Sequence, residues 1–525
     1  MPLSDNSHQV QNGHSSESRS GRDLEVGHVD DGNAVHKEAF VSGPLLYSRV
    51  RALAGSLGVE QRGIERVPDD ERTDSSMSQV GTLWLSANMV VSSFAIGALA
   101  IPIFKLGFVE SALTIIFVNL LGIMPVCFFS TFGPRFGLRQ IVLSRFYFGY
   151  YGVKLIALFN ILACLGWSAV NAIVGAQLLH AINPSVPGWA GILVLACSTL
   201  AVCTFGYRFV HAYERWSWLP SLAVFLIVLG TFARSGDFVS LPSLATRGSP
   251  AAEAGAVLSF AASVFGFATG WTAYAADYTV YQPADRGRVP VFLWTFVGLF
   301  LPLCFTELLG AAVATAIANP TFSAAYANAG VGGLLAQTLV PPLGHFGDFC
   351  LVVLALSIVA NNCPNVYSVA LSLQVLTPTL TERYHILRPA WCAVGTAVYV
   401  AVAVPGYSHF ESALENFMLV IGYWLAIYEG VALTEHFAFR RGLAGYCPED
   451  YTDPKRLPPG LAALGAFAFG VVGAVVGMAQ AWFTGPVGRL CGGELGGDVG
   501  FELAFAFTAV AYLGLRTLEK RYLGR

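Results

Sequence analysis

Long apolar runs separated by short polar gaps recur along the chain from about residue 80 onward. Twelve of these runs are long enough to cross a bilayer, which takes about 20 apolar residues in a helix. The predicted spans are 80–104, 108–131, 152–181, 187–206, 217–236, 253–277, 289–318, 347–376, 388–406, 410–436, 459–483 and 499–517. Because a backbone in hydrocarbon must satisfy its own hydrogen bonds, the pattern predicts an all-α membrane protein with 12 transmembrane helices.

The eighth span contains a polar cluster near its middle. Asn361, Asn362 and Asn365 supply three carboxamides, and Pro364 deprives the carbonyl of Ala360 of its usual helix partner. Unpaired amides are costly in hydrocarbon, so such a cluster faces protein, water or a polar ligand. Single membrane asparagines often serve only to hold helices together. The density of amides beside a proline favours a substrate path.

The first and sixth spans share an irregularity, because each places small, helix-weakening residues in the middle of the membrane. The stretches are 92–98 and 266–273, five spans apart. Interrupted helices at corresponding positions of two halves are typical of inverted-repeat transporters, although glycine-rich helices also serve close packing. The pattern predicts repeats at about 77–236 and 253–436 in a transport core over 77–436, with the last two spans, 459–517, outside it.

Charge distribution predicts the orientation. Only 12% of residues are charged, against roughly 25% in ordinary soluble chains. All but four of the 30 Lys and Arg residues fall on one side if the N-terminus is cytoplasmic. The positive-inside rule then places both termini in the cytoplasm. We expect a disordered tail over 1–76, a cytoplasmic loop over 437–458 and a short tail over 518–525. The basic, aromatic loop 133–151 is predicted to form an interfacial helix on the inner surface.

Other chemistries find no support in the sequence. The ten cysteines form no CxxC pair, and the histidines lie apart, so neither a disulfide framework nor a metal site is indicated. We find no nucleotide-binding glycine loop and no HExxH motif, so neither an enzyme nor a cofactor is expected. There is no basic patch to bind nucleic acid.

A set of aromatic and amide side chains on four spans suits a flat ligand. Trp167 and Asn171 stand four apart on one helix face, and Trp271 lies at the break of the sixth span. Asn361 and Asn362 add amides from the eighth span, and Ser93 adds a hydroxyl from the first span. Two indoles with amides around their edge fit a planar, neutral, heteroaromatic ligand, held by stacking and by hydrogen bonds to its edge.

From about Gly63 to the C-terminus the chain resembles the fungal purine–cytosine permeases of the nucleobase:cation symporter-1 class. The matching stretches are 86–97, 166–171, 270–278, 357–365, 423–428 and 435–437. The resemblance implies a LeuT-like fold with a 5+5 inverted repeat plus two extra helices. It also implies proton-coupled uptake of cytosine and purine bases at the plasma membrane.

The same resemblance assigns roles to individual residues. Trp167 and Trp271 would sandwich the base, Asn171 and Asn361 or Asn362 would hydrogen-bond it, and two further residues would line or shape the site: Ser93 and Pro364.

The hydroxyls that precede the asparagines of the eighth span bear on the identity of the coupling ion. Sodium-coupled relatives carry adjacent hydroxyls before the asparagine of the eighth span, whereas residues 355–357 here offer only Ser357. We therefore expect a proton, carried by an intramembrane carboxyl. Asp277 and Glu307 are the candidates, with Glu429 behind them. Each carboxyl could instead make a structural hydrogen bond, and Asp277 could anchor an inner gate.

Two alternative functions stay open at this stage. A vitamin B6 carrier of the same family would take pyridoxine, which is also small, flat and heteroaromatic. A nutrient receptor would keep the pocket but bind a base without moving it. The partners expected are therefore a small-molecule substrate, a proton and the lipid bilayer, and the sequence gives no indication of the oligomeric state.

Overall fold

The computed structural model describes residues 63–204, 207–240, 242, 248–378, 388–492 and 496–525. The helices, in chain order, are α1 Met77–Asn88, α2 Val91–Ala98, α3 Phe108–Ser130, α4 Phe132–Phe136, α5 Gln140–Leu143, α6 Arg145–Ile182, α7 Gly188–Thr204, α8 Tyr207–Ser235, α9 Pro250–Ala268, α10 Arg288–Ala314, α11 Pro320–Leu343, α12 His345–Leu376, α13 Arg388–Gly406, α14 Phe410–Thr434, α15 Leu461–Gly477 and α16 Gly500–Leu523. A short hairpin, β1 Ala479–Gln480 and β2 Phe483–Thr484, follows α15.

The predicted spans fall on these helices. Within the described ranges, nine helices are long and apolar enough to cross a membrane, and α1 with α2 makes a tenth if the bent pair is one span. The fourth and eleventh predicted spans fall on the shorter apolar helices α7 and α15. The all-α membrane fold expected from the apolar pattern is confirmed.

Both predicted interruptions are present. The first span bends by 54° between α1 and α2, where Met89 and Val90 leave the helical conformation. The sixth span changes from α9 to a 3-10 segment over Thr269–Tyr278. Breaks in the first and sixth spans are the arrangement expected for two repeats of five spans.

The eighth span is one continuous helix, although it contains Pro364. Helix α12 runs through Pro364 without interruption. A proline removes one backbone hydrogen bond, and neighbouring polar groups in a membrane bundle can compensate for it. Asn365 Nδ2 donates to the carbonyl of Asn361 at 3.2 Å, which adds a side-chain hydrogen bond within the turn that contains the proline.

The loop 133–151 is not an interfacial helix on the membrane surface, and that prediction is wrong. Its residues form the short helices α4 and α5 and the start of α6, and Arg139, Gln140 and Phe148 are buried. Aromatic residues of this loop pack against protein: the Phe148 ring stacks on Tyr428 of α14 at 5.9 Å, and the Phe136 and Phe146 rings pack on Tyr446. Aromatic spacing alone cannot distinguish lipid from protein as the apolar partner.

Two further segments depart from the sequence-based expectation. Helix α11 lies between the seventh and eighth spans, where no helix was predicted. Residues 1–62 of the expected tail lie outside the described residues, but its last part is described and makes specific contacts. Val67 N donates to the carbonyl of Gly137 at 2.8 Å, and Asp74 N donates to that of Tyr281 at 2.9 Å.

Close helix packing beside the first break gives a stability prediction. A Cβ on Gly97 would lie 1.9 Å from the backbone oxygen of Glu307, so α2 and α10 are in backbone contact there. We expect Gly97→Ala to lower the free energy of unfolding by about 1–3 kcal/mol or more, because the two helices must separate. Gly230→Ala is the matched control, since a Cβ added there would meet nothing within 4 Å. Thermal unfolding of the purified variants measures the difference, and equal stability of the two would contradict the packing described.

Candidate substrate site

A small cavity lies between the sixth span, α6 and α12. Its volume is about 10 Å³, close to the room that one water molecule needs and far below the roughly 300–1,000 Å³ of sites for drug-sized ligands, so the cavity is nearly closed. The lining residues are Trp167, Phe267, Gly270, Trp271, Tyr274, Asn361 and Asn365. None of these described residues carries a charge. Aromatic rings and two carboxamides therefore provide the chemistry of the cavity wall.

The two predicted indoles both reach the cavity. Trp167, on α6, is 5% exposed, and its ring packs against Phe267 at 5.1 Å between centroids. Trp271, in the 3-10 segment, is 3% exposed. Gly270 lies beside the Trp167 indole, and a Cβ there would make only an ordinary van der Waals contact, 3.6 Å from Trp167 Nε1.

Trp271 also joins the two interrupted spans. Its Nε1 donates to Asn88 Oδ1 at 3.2 Å, at the end of α1. Asn88 Nδ2 in turn donates to the carbonyl of Trp84 at 2.9 Å. A ligand that contacts Trp271 is thus one side chain away from the bend of the first span.

Three predicted asparagines form one amide network. Asn171 Nδ2 donates to Asn361 Oδ1 at 2.6 Å and to Asn362 Oδ1 at 2.8 Å. Asn361 Nδ2 donates to the carbonyl of Ala87 at 2.6 Å, and Asn362 Nδ2 donates to that of Ser168 at 3.3 Å. Asn361 lines the cavity and Asn362 does not, and in both side chains the two polar atoms already have protein partners.

One polar atom of this network has no partner. Asn171 Oδ1 is buried and accepts no hydrogen bond from any described residue. A buried amide oxygen left in this state costs about 1–3 kcal/mol, so such atoms in a native structure require an explanation. Asn171 is not among the residues that line the cavity, so a ligand N–H donor would satisfy this oxygen only in an arrangement that opens the cavity further.

Four lining residues are absent from the predicted set: Phe267, Gly270, Tyr274 and Asn365. Tyr274 OH donates to Asn365 Oδ1 at 2.8 Å, and both side chains reach the cavity. Asn365 stands four residues after Asn361, so helix periodicity places it on the same face of α12. Tyr274 follows Trp271 by three residues, but its backbone leaves the helical conformation with φ -142°, so the spacing alone does not place its side chain in the cavity.

Ser93 and Pro364 do not line the cavity in this structure. Ser93 Oγ donates to the carbonyl of Asn88 at 2.8 Å, which ties α2 to the end of α1 across the bend. Pro364 is buried within α12. Their contribution in this arrangement is to the shape of the elements that carry Trp271, Asn361 and Asn365.

Asp277 lies at the end of the 3-10 segment. Gln140 N donates to its Oδ1 at 2.6 Å, and the guanidinium of Arg139 donates to its backbone carbonyl at 2.8 Å. The Arg139 guanidinium also lies over the rings of Tyr281 and Tyr367, 5.5 and 5.4 Å from their centroids. Asp277 therefore fastens the sixth span to the loop before α5.

The other two carboxyls also have partners. Asn119 Nδ2 donates to Glu307 Oε2 at 2.7 Å, while Glu307 Oε1 is buried without a partner among the described residues. Glu429 accepts hydrogen bonds from the hydroxyls of Thr269 and Thr272. Glu307 joins α3 to α10, and Glu429 joins α14 to the 3-10 segment.

Interrupted first and sixth spans, the sixth of which lines a buried aromatic and amide cavity, are typical of secondary transporters of the inverted-repeat class. The family described as permease for cytosine/purines, uracil, thiamine, allantoin matches residues 66–499. The chain belongs to this permease family, which confirms the resemblance to the nucleobase:cation symporter-1 class and excludes the enzyme alternative.

Individual relatives span nearly the whole chain. The purine-cytosine permease fcyB of Emericella nidulans is 56% identical over 496 residues, covering 94% of this chain and 95% of that protein. The vitamin B6 transporter TPN1 of Saccharomyces cerevisiae is 34% identical over 520 residues, covering 90% and 89%. The inward-facing structure of Mhp1 matches with a TM-score of 0.65 at 14% identity, covering 89% of this chain and 95% of that one. The structural likeness supports the fold alone.

Proposed function

We propose that the protein imports cytosine and the purine bases adenine, guanine and hypoxanthine by proton symport with alternating access. The observation that carries the proposal is the uncharged cavity, whose wall combines two indoles with carboxamides. Nucleobases are neutral, flat and rich in N–H and carbonyl groups at their edge. The 56% identical relative is itself named a purine-cytosine permease, which supports the same substrate class here.

Each part of the cavity has a role in this proposal. Trp167 and Trp271 contact the faces of the base, and stacking of this kind is worth about 1–3 kcal/mol per base. Asn171 Oδ1 accepts a hydrogen bond from the exocyclic amino group or from a ring N–H. Asn361 and Asn365 offer further polar contacts at the edge. Alternating access then follows from relative movement of the interrupted spans around this fixed site.

The choice of a proton rests on the surroundings of Ser357. Its Oγ donates to the carbonyl of Leu354 at 2.6 Å and accepts from Val91 N at 3.2 Å. This hydroxyl is therefore already used to hold α2 against α12. A coupling proton needs an ionisable carboxyl instead, and Asp277 and Glu307 are two candidates.

We place the protein in the plasma membrane with both termini cytoplasmic. The Lys and Arg asymmetry supports this orientation. The polar tail 1–76, the loop 437–458 and the tail 518–525 then face the cytoplasm, and the transport core comprises residues 77–436. Residues 133–151 belong to the same cytoplasmic side.

A vitamin B6 carrier is the second candidate, because a 34% identical relative carries that name. Pyridoxine bears flexible hydroxymethyl groups, whereas cytosine and adenine are planar throughout. A slot between two indoles favours the fully planar ligands. A receptor that binds without transport would show no accumulation at all.

Uptake of radiolabelled cytosine tests the proposal in cells that lack their own nucleobase carriers and express this chain. We expect concentrative uptake that collapses with a protonophore and is inhibited by excess unlabelled adenine but not by pyridoxine. Inhibition by pyridoxine alone would assign the vitamin B6 function. Uptake that persists with a protonophore would contradict proton symport, and absence of uptake by protein at the cell surface would contradict transport.

A further inference from the structure

Glu214 is a buried carboxyl that the site described above does not use. It lies in α8, two turns from the start of that helix, and is 0% exposed. Neither of its carboxyl oxygens has a hydrogen-bond partner among the described residues. Asp277, Glu307 and Glu429 each accept at least one hydrogen bond. A carboxylate without a partner is strongly disfavoured in a low-dielectric interior, so the group must gain a proton or a hydrated surrounding.

Glu214 lies close to several other spans. Helix α8 packs against α1, α7 and α12. Ser86 Oγ, on α1, donates to the backbone carbonyl of Glu214. The titratable groups that interact with its carboxyl are the thiols of Cys203 and Cys363 and the phenols of Tyr213 and Tyr278. These groups lie on the fourth, eighth, fifth and sixth spans.

Aromatic contacts connect this carboxyl to the cavity. The Tyr278 ring packs edge-on against Trp84 at 5.4 Å, and Trp84 packs edge-on against Trp271 at 5.5 Å. On the other side, Cys363 lies in α12 directly after Asn362 of the amide network. Any movement of the sixth or eighth span that accompanies substrate binding therefore changes the surroundings of Glu214.

We propose that Glu214 carries the coupling proton, a role that rests on the proton symport proposed above. A proton from the outer solution converts the carboxylate to the neutral acid when the base enters the cavity. When the cytoplasmic side opens, water reaches the carboxyl and the acid releases its proton to the cytoplasm. One proton and one neutral base cross together, and no bond of the base is broken. The neutral acid allows α1 and α8 to close, whereas the bare carboxylate opposes closure.

The Glu214→Gln variant tests this role, because it keeps the shape and removes the titration. We expect this variant to lose accumulation of radiolabelled cytosine and to equilibrate it with the medium, with no response to a protonophore or to external pH. Exchange of labelled for unlabelled cytosine should persist, since exchange needs no net proton movement. The comparison variant Glu502→Gln, at a carboxyl on α16 whose Oε2 also has no partner among the described residues, should keep the protonophore response.

The outcomes separate this inference from the proposed function. Wild-type uptake that ignores the protonophore would contradict proton symport itself. Wild-type uptake that responds, together with a Glu214→Gln variant that still accumulates cytosine, would overturn only the role of Glu214.

If the Gln variant does not reach the cell surface, Glu214→Asp replaces it. This variant keeps an ionisable group in altered surroundings, so we expect protonophore-sensitive uptake with a shifted pH dependence. An unshifted pH dependence would overturn the inference.

Discussion

The Asn171→Ala variant is expected to lose about 100-fold in Vmax/Km for cytosine. The change removes the unpartnered Oδ1 that we propose accepts a hydrogen bond from the base. It also leaves Asn361 Oδ1 and Asn362 Oδ1 without the amide that now donates to both. Unsatisfied buried acceptors cost about 1–3 kcal/mol each, and about 2.7 kcal/mol corresponds to 100-fold. Initial rates of labelled cytosine uptake, normalised to surface protein, measure the loss.

Asn160→Ala is the matched control for that variant. Asn160 lies on the same helix and is equally buried, and its Nδ2 donates to the hydroxyls of Ser368 and Ser372 on α12. The Asn160→Ala change removes a comparable pair of α6–α12 hydrogen bonds at a position outside the cavity lining. We expect it to lower stability with the Km for cytosine near the wild-type value. Equal increases in Km for both variants would indicate that Asn171 acts only in helix packing.

The Trp271→Ala variant is expected to raise the Km for cytosine by about 30-fold. Removal of a stacking ring costs about 1–3 kcal/mol per base, and 30-fold corresponds to about 2 kcal/mol. The hydrogen bond to Asn88 Oδ1 is lost at the same time. Trp271→Phe keeps a flat face without the N–H, so its Km should lie between those of the wild type and the alanine variant.

Trp424→Ala controls for the loss of a large buried ring. Trp424, on α14, is 4% exposed and stacks on Phe159 at 6.0 Å, outside the cavity lining. Its removal should reduce surface expression or thermal stability and leave the Km unchanged. A Trp271→Ala variant with a wild-type Km at good surface expression would remove Trp271 from the substrate site.

The fold was accessible from the sequence because bilayer thickness imposes a clear length on each apolar run, and three of the seven lining residues were predicted: Trp167, Trp271 and Asn361. The broken first and sixth spans were visible as small residues at matching positions. Asn171, Asn361, Trp167 and Trp271 could be selected because polar and aromatic groups stand out against an apolar helix. The shape of the cavity depends on tertiary packing, so the contribution of Tyr274 could not be read from local pattern.

The buried position of Glu214 could not be predicted from hydropathy. The fifth span was predicted to begin at 217, because residues 207–216 carry two arginines and read as a polar loop. In the structure α8 begins at Tyr207, so Glu214 lies inside the bundle. Charged residues end a hydropathy peak whether or not the helix itself ends. For the same reason the buried residues 139–148 were predicted at the membrane surface.

Reconstitution of the purified protein into liposomes tests the central claim most directly. A pH gradient, acidic outside, would be imposed, and accumulation of radiolabelled cytosine followed with excess unlabelled adenine or pyridoxine. The proposed nucleobase symporter accumulates cytosine only while the gradient persists, and adenine abolishes this accumulation whereas pyridoxine does not. Saturable binding of cytosine with no accumulation under the gradient would contradict the account and would identify a binding protein.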